Sequence, residues 1–335
     1  MAWYNSPGPE NDVVISSRIR FARNLAGYPF TSRLTPQKAR DVIVEASAAL
    51  TGGDKKYKVI DFTQLTPAEA RSYVENHSVS PEFIESRLPR ALVENEEEGV
   101  AVMLCEEDHI RLQVLRPGLA LREAYEKACE LDDRLSAAAD IAWDENLGYL
   151  THCPTNLGTG MRASVMMFLP AMTLNKQIGA LASSLSKLGL TMRGLYGEGS
   201  EADGFMYQIS NQVTLGITEE NTIKKLSDVV LQIIARERQL RASMMSDAPD
   251  RITDTVMRSV GALRYAHMMS SDEFLKHFAY VRLGISLGIV KDISYEKLGS
   301  LLVEVMPATL TLKAGHELGP TERDLARAKY IRETI

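Results

Sequence analysis

Cysteine is scarce: Cys105, Cys129 and Cys153 are the three in 335 residues. An odd number with no CxxC pair excludes a disulfide scaffold, argues against a structural zinc site and points to a reducing, cytoplasmic setting. Long hydrophobic runs are lacking too. None approaches the roughly 20 apolar residues that span a bilayer, so no membrane partner is expected. The opening "MAWYNSPGPENDVVIS" has no charged-then-apolar layout of a signal peptide. Positive charge is not in excess: 38 Lys and Arg against 44 Asp and Glu leave a net charge of −6. That is the wrong sign for a general nucleic-acid binder. There is no GxxxxGK[ST] loop and no GxGxxG with an HRD or DFG partner, which excludes the two commonest ATP-phosphate cradles.

What is present is the composition of a soluble globular protein, 45% hydrophobic and 24% charged, long enough for about two domains. Residues 1–12 read as an irregular lead-in. "TPQKARDVIVEASAALTG" reads as a helix with Pro36 in its first turn and Gly52 as its stop, and "TPAEARSYVENH" repeats the Thr-Pro opening. "VAVMLCEEDHIRLQVLR" reads as two strands around an acidic turn, with Arg111 on the face opposite Ile110, Leu112 and Val114. Apolar residues recur at helical spacing over 121–142. "RASVMMFLP" and "GFMYQISNQVTLG" read as strands, while "IGALASSLSKLG" and "TIKKLSDVVLQIIARERQLR" read as helices. The expected fold is α+β: an antiparallel sheet flanked by helices over 1–248, then a small all-helical domain over 249–335.

Several arginines stand among small or apolar residues. In "VVISSRIRFARN", Arg18 and Arg20 share a face if the segment is a strand. Arg111 follows "EEDHI", Arg162 follows "GTG", and Arg193 opens "RGLYGEGSE". Singly each reads as a surface salt bridge. Together, five planar and permanently charged groups suit bidentate binding of a polyphosphate. Glu106, Glu107 and Asp108 at a turn, and Glu198 and Glu201 in "GEGSE", are either solvated turn acids or carboxylates that grip a cation and accept a proton. "ENEEEG" at 94–99 reads mostly as a solvated loop. Cys153 is either a small buried hydrophobe or a reactive thiol; Pro154, Thr155, Gly158 and Gly160 beside it favour the second reading.

"CPTNLGTGMRASV" resembles the reactive-cysteine segment of the phosphagen (guanidino) kinases. "SSRIR", "EEDHIRLQ" and "RGLYGEGSEADGFMYQISNQVTLG" resemble other blocks of that family in the family's order, over roughly residues 13–220. Two departures are informative. The family's helical N-terminal domain, on the order of 100 residues, is expected to be absent, since SSRIR starts at residue 16. A helical C-terminal region carries "RDLARA" at 323–328. Both features resemble the bacterial protein-arginine kinases of the McsB type.

That resemblance implies ATP-dependent phosphorylation of arginine side chains, with Mg²⁺ held by the nucleotide. Arg18, Arg20, Arg111, Arg162 and Arg193 would take the phosphates. Ser17, His77, Ala163, Ser164, Val165 and Gly194 would complete the ATP site. Glu107 and Glu198 would hold the guanidinium, with Glu107 the preferred base and Cys153 beside it; His109 would be structural. Arg323, Asp324, Arg327 and Ala328 would form an allosteric or substrate-retaining phosphoarginine pocket. The implied partners are protein substrates with exposed arginine, an activator protein and a Clp-type protease, in a stress-response, quality-control setting, with a homodimer or larger assembly. A kinase of small free guanidino compounds and a non-catalytic phosphoarginine-binding adaptor remain the alternatives. An adaptor has no need of a base.

Overall fold

The computed structural model describes residues 3–194 and 203–335. Among them the strands are β1 (Val14–Arg23), β2 (Lys58–Asp61), β3 (Ala91–Asn95), β4 (Val100–Leu104), β5 (Ile110–Pro117), β6 (Trp143–Asp144), β7 (Gly148–Tyr149), β8 (Met161–Phe168), β9 (Leu190–Gly194) and β10 (Met206–Asn211). The helices are α1 (Pro36–Thr51), α2 (Pro67–Glu75), α3 (Pro81–Glu85), α4 (Leu121–Ala138), α5 (Pro170–Leu174), α6 (Ile178–Lys187) and α7 (Glu219–Asp247), followed by α8 (Pro249–Tyr265), α9 (Ser271–Ser286), α10 (Tyr295–Glu304), α11 (Pro307–Ala314) and α12 (Pro320–Thr334). Eight strands make one antiparallel sheet in the order β2-β3-β4-β5-β1-β8-β10-β9. The expected α+β class holds.

Local chemistry explains the helix ends. Thr35 accepts from the Lys38 amide at 3.3 Å, and Gly52 closes α1 in the left-handed region at φ 52°. Thr66 and Glu69 form a reciprocal capping box on α2. In α4, Leu121, Ala124, Ala128, Leu131 and Leu135 are buried at spacings of three and four residues. That seam joins buried residues of α1, α7 and the inward face of the sheet in the larger hydrophobic core. Each leucine removed from water there contributes about 1.5–3 kcal/mol.

A second core lies among α8–α12, and Ile15, Phe168 and Met206 of the sheet belong to it. Only Ala248 stands between α7 and α8. Glu75, the last residue of α2, accepts from the Ala308 and Thr309 amides at 2.7 and 2.8 Å. It thereby satisfies donors that the start of α11 leaves open.

Two sequence expectations are narrowed by the structure. The segment "GFMYQISNQVTLG" is strand only over Met206–Asn211. Beyond it the Asn211 side chain takes over, bonding Ala163 N, Met161 O and Val213 O at 2.8, 3.1 and 3.1 Å. "ENEEEG" is not wholly a solvated loop: Glu94 and Asn95 are buried at the end of β3. The hydrophilic letters hid a strand end that lies under the chain following α2.

Candidate functional site

Cross-strand partners in an antiparallel sheet share a face. Arg20 pairs with Gln113 on one side and with Arg162 on the other; Ala22 pairs with Arg111, Arg18 with Ser164, and Arg193 with Gln208. The register therefore carries Arg18, Arg20, Arg111, Arg162 and Arg193 to one face. Ile19, Phe21, Leu112, Val114, Ala163 and Val165 point the other way, into the core.

On the arginine face, Arg18 Nη2 donates to Gln208 Oε1 at 2.6 Å, and Arg162 Nη2 to Ser210 Oγ at 3.3 Å. Arg111 Nη1 donates to Glu106 at 2.7 Å. Arg20 Nε is buried with no hydrogen-bond partner. Burial, then Arg111 and Arg162, push Arg18 down to about 10. Burial, then Arg18, Arg111 and Arg162, hold Arg20 well below the usual arginine range. Arg162 is lowered by burial and then by Arg193 and Arg111. So much unneutralised positive charge is unfavourable alone and is relieved by a multiply charged anion, and an unpaired guanidinium N–H is a donor waiting for one. His77 stands over this cluster. Its backbone is left-handed at φ 64°. Burial and then Arg18 push its ring down to about 4, so it is neutral at pH 7.

The β4–β5 turn supplies the acids. Cys105, at φ 65°, turns the chain, with Cys105 N donating to His109 O at 2.8 Å. Glu106 is fully engaged: Ser80 Oγ, Glu107 N and Arg111 Nη1 each reach it at 2.7 Å. Glu107 is freer, with Arg111 Nη1 at 3.8 Å. Burial, then Asp108, raise its carboxyl above the ordinary range. Buried Asp108 accepts from Asn24 Nδ2 and from His152 N, both at 2.7 Å, and so fastens the Cys153 loop beside the turn. Cys153 Sγ lies 3.0 Å from Thr155 Oγ1. The glycines here answer to close approach: a Cβ on Gly158 would sit 2.3 Å from Thr214 O, and one on Gly160 2.6 Å from Arg23 Nη1. Arg23 itself is structural, bound to Asp132 at 2.9 and 2.7 Å.

Three cavities adjoin along this face. The first, about 160 Å³, is mainly apolar, with Trp3, Leu115, Met166, Met206 and Leu302 around Arg18 and His77. The second, about 450 Å³, shares Arg18 and His77 and adds Arg20, Arg111, Gln113 and Met306. The third, about 670 Å³, shares Arg111 and Glu82 with the second and ends at Glu106, Glu107 and His152. An apolar pocket, a cationic channel and an acidic end thus succeed one another, the order a nucleoside, its phosphates and a cationic acceptor would need. Among the described residues no group of three or more His, Cys, Asp or Glu side chains gathers as a metal site.

Not every expected residue reaches the cleft. Ser17 is on the core side, where it donates to Gly118 O at 2.8 Å and accepts from Ala120 N at 3.0 Å. Ala163 and Val165 are fully buried in the core; of that triplet the register leaves only Ser164 facing the arginines. Gly194 ends β9 beside exposed Arg193. Glu198 and Glu201 lie outside the described residues. On α12, Arg323 and Asp324 are half-buried, but Arg327 and Ala328 are buried. Arg327 donates to Val305 O, Met269 O and Asp324 Oδ1 at 3.1, 2.8 and 2.6 Å, so as folded it braces three segments. Sequence reasoning missed the anchoring role of Asp108, whose only signal was its place in the EED run. It also missed Trp3, Gln208, Leu302 and Met306, which only the tertiary fold brings in.

Comparison with known proteins agrees with this geometry. Residues 38–240 match the family model of the ATP:guanido phosphotransferase C-terminal catalytic domain, and residues 249–335 match the protein-arginine kinase McsB C-terminal domain. The chain is 42% identical to a protein-arginine kinase of Pelotomaculum thermopropionicum, covering 98% of this chain and 94% of the relative. It is 44% identical to one of Symbiobacterium thermophilum, covering 99% and 96%. Among solved structures, lombricine kinase superposes with a TM-score of 0.61 at 26% identity, over 71% of this chain and 70% of that one. The duplicated taurocyamine kinase of Schistosoma mansoni gives 0.64 at 21% identity, over 86% and 48%, a likeness of fold.

Proposed function

The chain belongs to the protein-arginine kinase family, whose catalytic part is the ATP:guanido phosphotransferase domain, and from that premise we propose that it transfers the γ-phosphoryl group of ATP to arginine side chains of proteins. The observation that carries the reading is the single-faced arginine cluster with an unpartnered Arg20 Nε, opening at one end onto Glu107. Arg18, Arg20, Arg111 and Arg162 grip the polyphosphate, with exposed Arg193 reaching its rim. The apolar pocket by Trp3 and His77 takes the nucleoside. Mg²⁺, carried in on the phosphates, would add charge neutralisation to that of the arginines.

Glu106 is committed to Arg111, which leaves Glu107 as the base. Free arginine stays protonated far above neutral pH, so the guanidinium must shed a proton as it attacks. Glu107 accepts that proton while the nitrogen–phosphorus bond forms and the bond from phosphorus to the departing ADP oxygen breaks. Such assistance contributes about 10²–10⁴-fold. Cys153, held near by the Asp108 anchor, lies beside the incoming guanidinium, and Glu198 is the second carboxylate of the reading.

The division into a catalytic domain over 1–248 and a helical domain over 249–335 belongs to the same proposal. So does a phosphoarginine pocket built from Arg323 and Asp324 and braced by Arg327 and Ala328. Marking of proteins for degradation, an activator, a protease link and self-assembly rest on resemblance alone; a cytoplasmic setting rests on the scarce, unpaired cysteines. The test is incubation of the protein and of Glu107→Gln with ATP, Mg²⁺ and either an arginine-containing protein or free arginine. Expected is an acid-labile phosphoarginine on the protein acceptor, seen by mass spectrometry at neutral pH and lost in the variant. Acid-stable product, or turnover of free arginine alone, overturns the reading.

A further inference from the structure

We propose a second cation pocket, beside the transfer cleft and sharing its Trp3 wall, in which Glu94 and the aromatic pair Trp3–Tyr4 receive the guanidinium of an arginine side chain from a polypeptide. The cavity measures about 410 Å³ and is walled by Trp3, Tyr4, Ser78, Glu94 and Glu96. It lies on the same sheet face as the arginine cluster, since Glu94 pairs with Ala101 and Ala101 with Gln113. The chain after α2 divides the two sites. His77 lines the nucleotide side, whereas Asn76 and Ser78 line the acidic side. Gln113 fixes this partition by donating to His77 O at 2.6 Å.

Glu94 marks the pocket as a binding site. The residue is only 3% exposed. Its Oε1 accepts from Ser78 Oγ at 3.1 Å, but Oε2 is buried without a hydrogen-bond partner. A buried carboxylate oxygen left unmatched is costly, and a cationic donor in the adjoining cavity removes the cost. Burial, and then Glu96, push the Glu94 carboxyl up to about 7. The titratable groups that face it are Lys58 across the strand pair, Tyr73 on α2 and Glu96, with Tyr4 and Glu97 at the rim. The Trp3 and Tyr4 rings meet edge to face at 5.4 Å. Flat aromatic walls favour a planar guanidinium over an ammonium, through stacking and cation–π attraction. The pocket does not depend on the transfer chemistry, so it stands or falls separately from the proposed activity.

The experiment titrates the isotope-labelled full chain with N-acetyl-arginine amide, following amide resonances. N-acetyl-citrulline amide, neutral and nearly isosteric, and N-acetyl-lysine amide serve as controls. Expected are shifts at Ser78, Glu94 and Ala101 with the arginine probe, smaller ones with lysine and none with citrulline. Binding should be tighter at pH 8 than at pH 6, because Glu94 ionises across that interval. E94Q should weaken it by about tenfold or more, the scale of one charge-assisted hydrogen bond, while E107Q leaves these shifts in place. Shifts confined to the Glu106–Glu107 turn, citrulline binding as well as arginine, or unaltered affinity in E94Q would each overturn the pocket. Should E94Q fail to fold, the citrulline comparison in the wild-type chain decides.

Discussion

Arg20 on β1 and Arg162 on β8 are direct cross-strand partners. Two like charges thus stand opposite one another at the centre of the sheet, with Arg18 and Arg111 on the same face. Like charges so placed destabilise a strand pair by up to about 1 kcal/mol. A multiply charged anion bound there would relieve that repulsion.

Arg20→Gln should therefore separate stability from binding. Removing the guanidinium whose buried Nε has no partner is expected to leave the melting temperature of the ligand-free protein unchanged or higher. ATP affinity should fall by about tenfold or more, the scale of a charge-assisted contact. Scanning fluorimetry and calorimetric titration read the two effects. A lower melting temperature with ATP affinity intact would refute the anion-seat reading.

Glu107→Gln should lower kcat by about 10²–10⁴-fold while sparing ATP binding. The pH dependence follows from the raised Glu107 carboxyl. A base works deprotonated, so activity falls as pH drops through the folded-state value, which lies above the ordinary carboxylate range. The acid limb of kcat/KM should sit correspondingly high and should vanish from the residual activity of the variant. An acid limb that persists there belongs to another group.

Asp108→Ala should affect chemistry more than nucleotide binding. It leaves His152 N and Asn24 Nδ2 without their 2.7 Å partner, at a cost of about 1–3 kcal/mol. With that anchor gone the Cys153 loop is no longer held against the turn. Expected is a fall in kcat with a small change in ATP affinity, and faster alkylation of Cys153. Unchanged turnover would make Asp108 a purely structural residue.

Arg327→Ala is expected to be a stability variant first. Its guanidinium joins α12 to Val305 and Met269, and stranding those carbonyls costs roughly 2–4 kcal/mol. Arg323→Ala, at a half-buried position on the same helix, is the cleaner probe of phosphoarginine binding and should lower that affinity with little change in melting temperature. If Arg323→Ala binds phosphoarginine as the parent does, the pocket lies elsewhere.

The sequence by itself determined the local elements and much of the site's chemistry. Thr35–Pro36 and Thr66–Pro67 start helices, the apolar spacing of 121–138 makes α4 amphipathic, and alternation over 110–114 puts Arg111 opposite a core face. Those are short-range effects of capping and periodicity, readable from neighbours in the chain. The family blocks named the acids, the thiol and the arginines. Strand register was the business of the tertiary structure. Only pairing across β5, β1, β8, β10 and β9 places all five arginines on one face, and the same alternation turns Ser17, Ala163 and Val165 away from it. Burial likewise depends on what lies above a residue. It made Glu94 an unmatched buried acid in a segment whose letters read mostly as a solvated loop, and it tied the Arg327 guanidinium to Val305 O and Met269 O. Desolvation and like-charge repulsion, which give the site its character, are properties of groups brought together from distant parts of the chain.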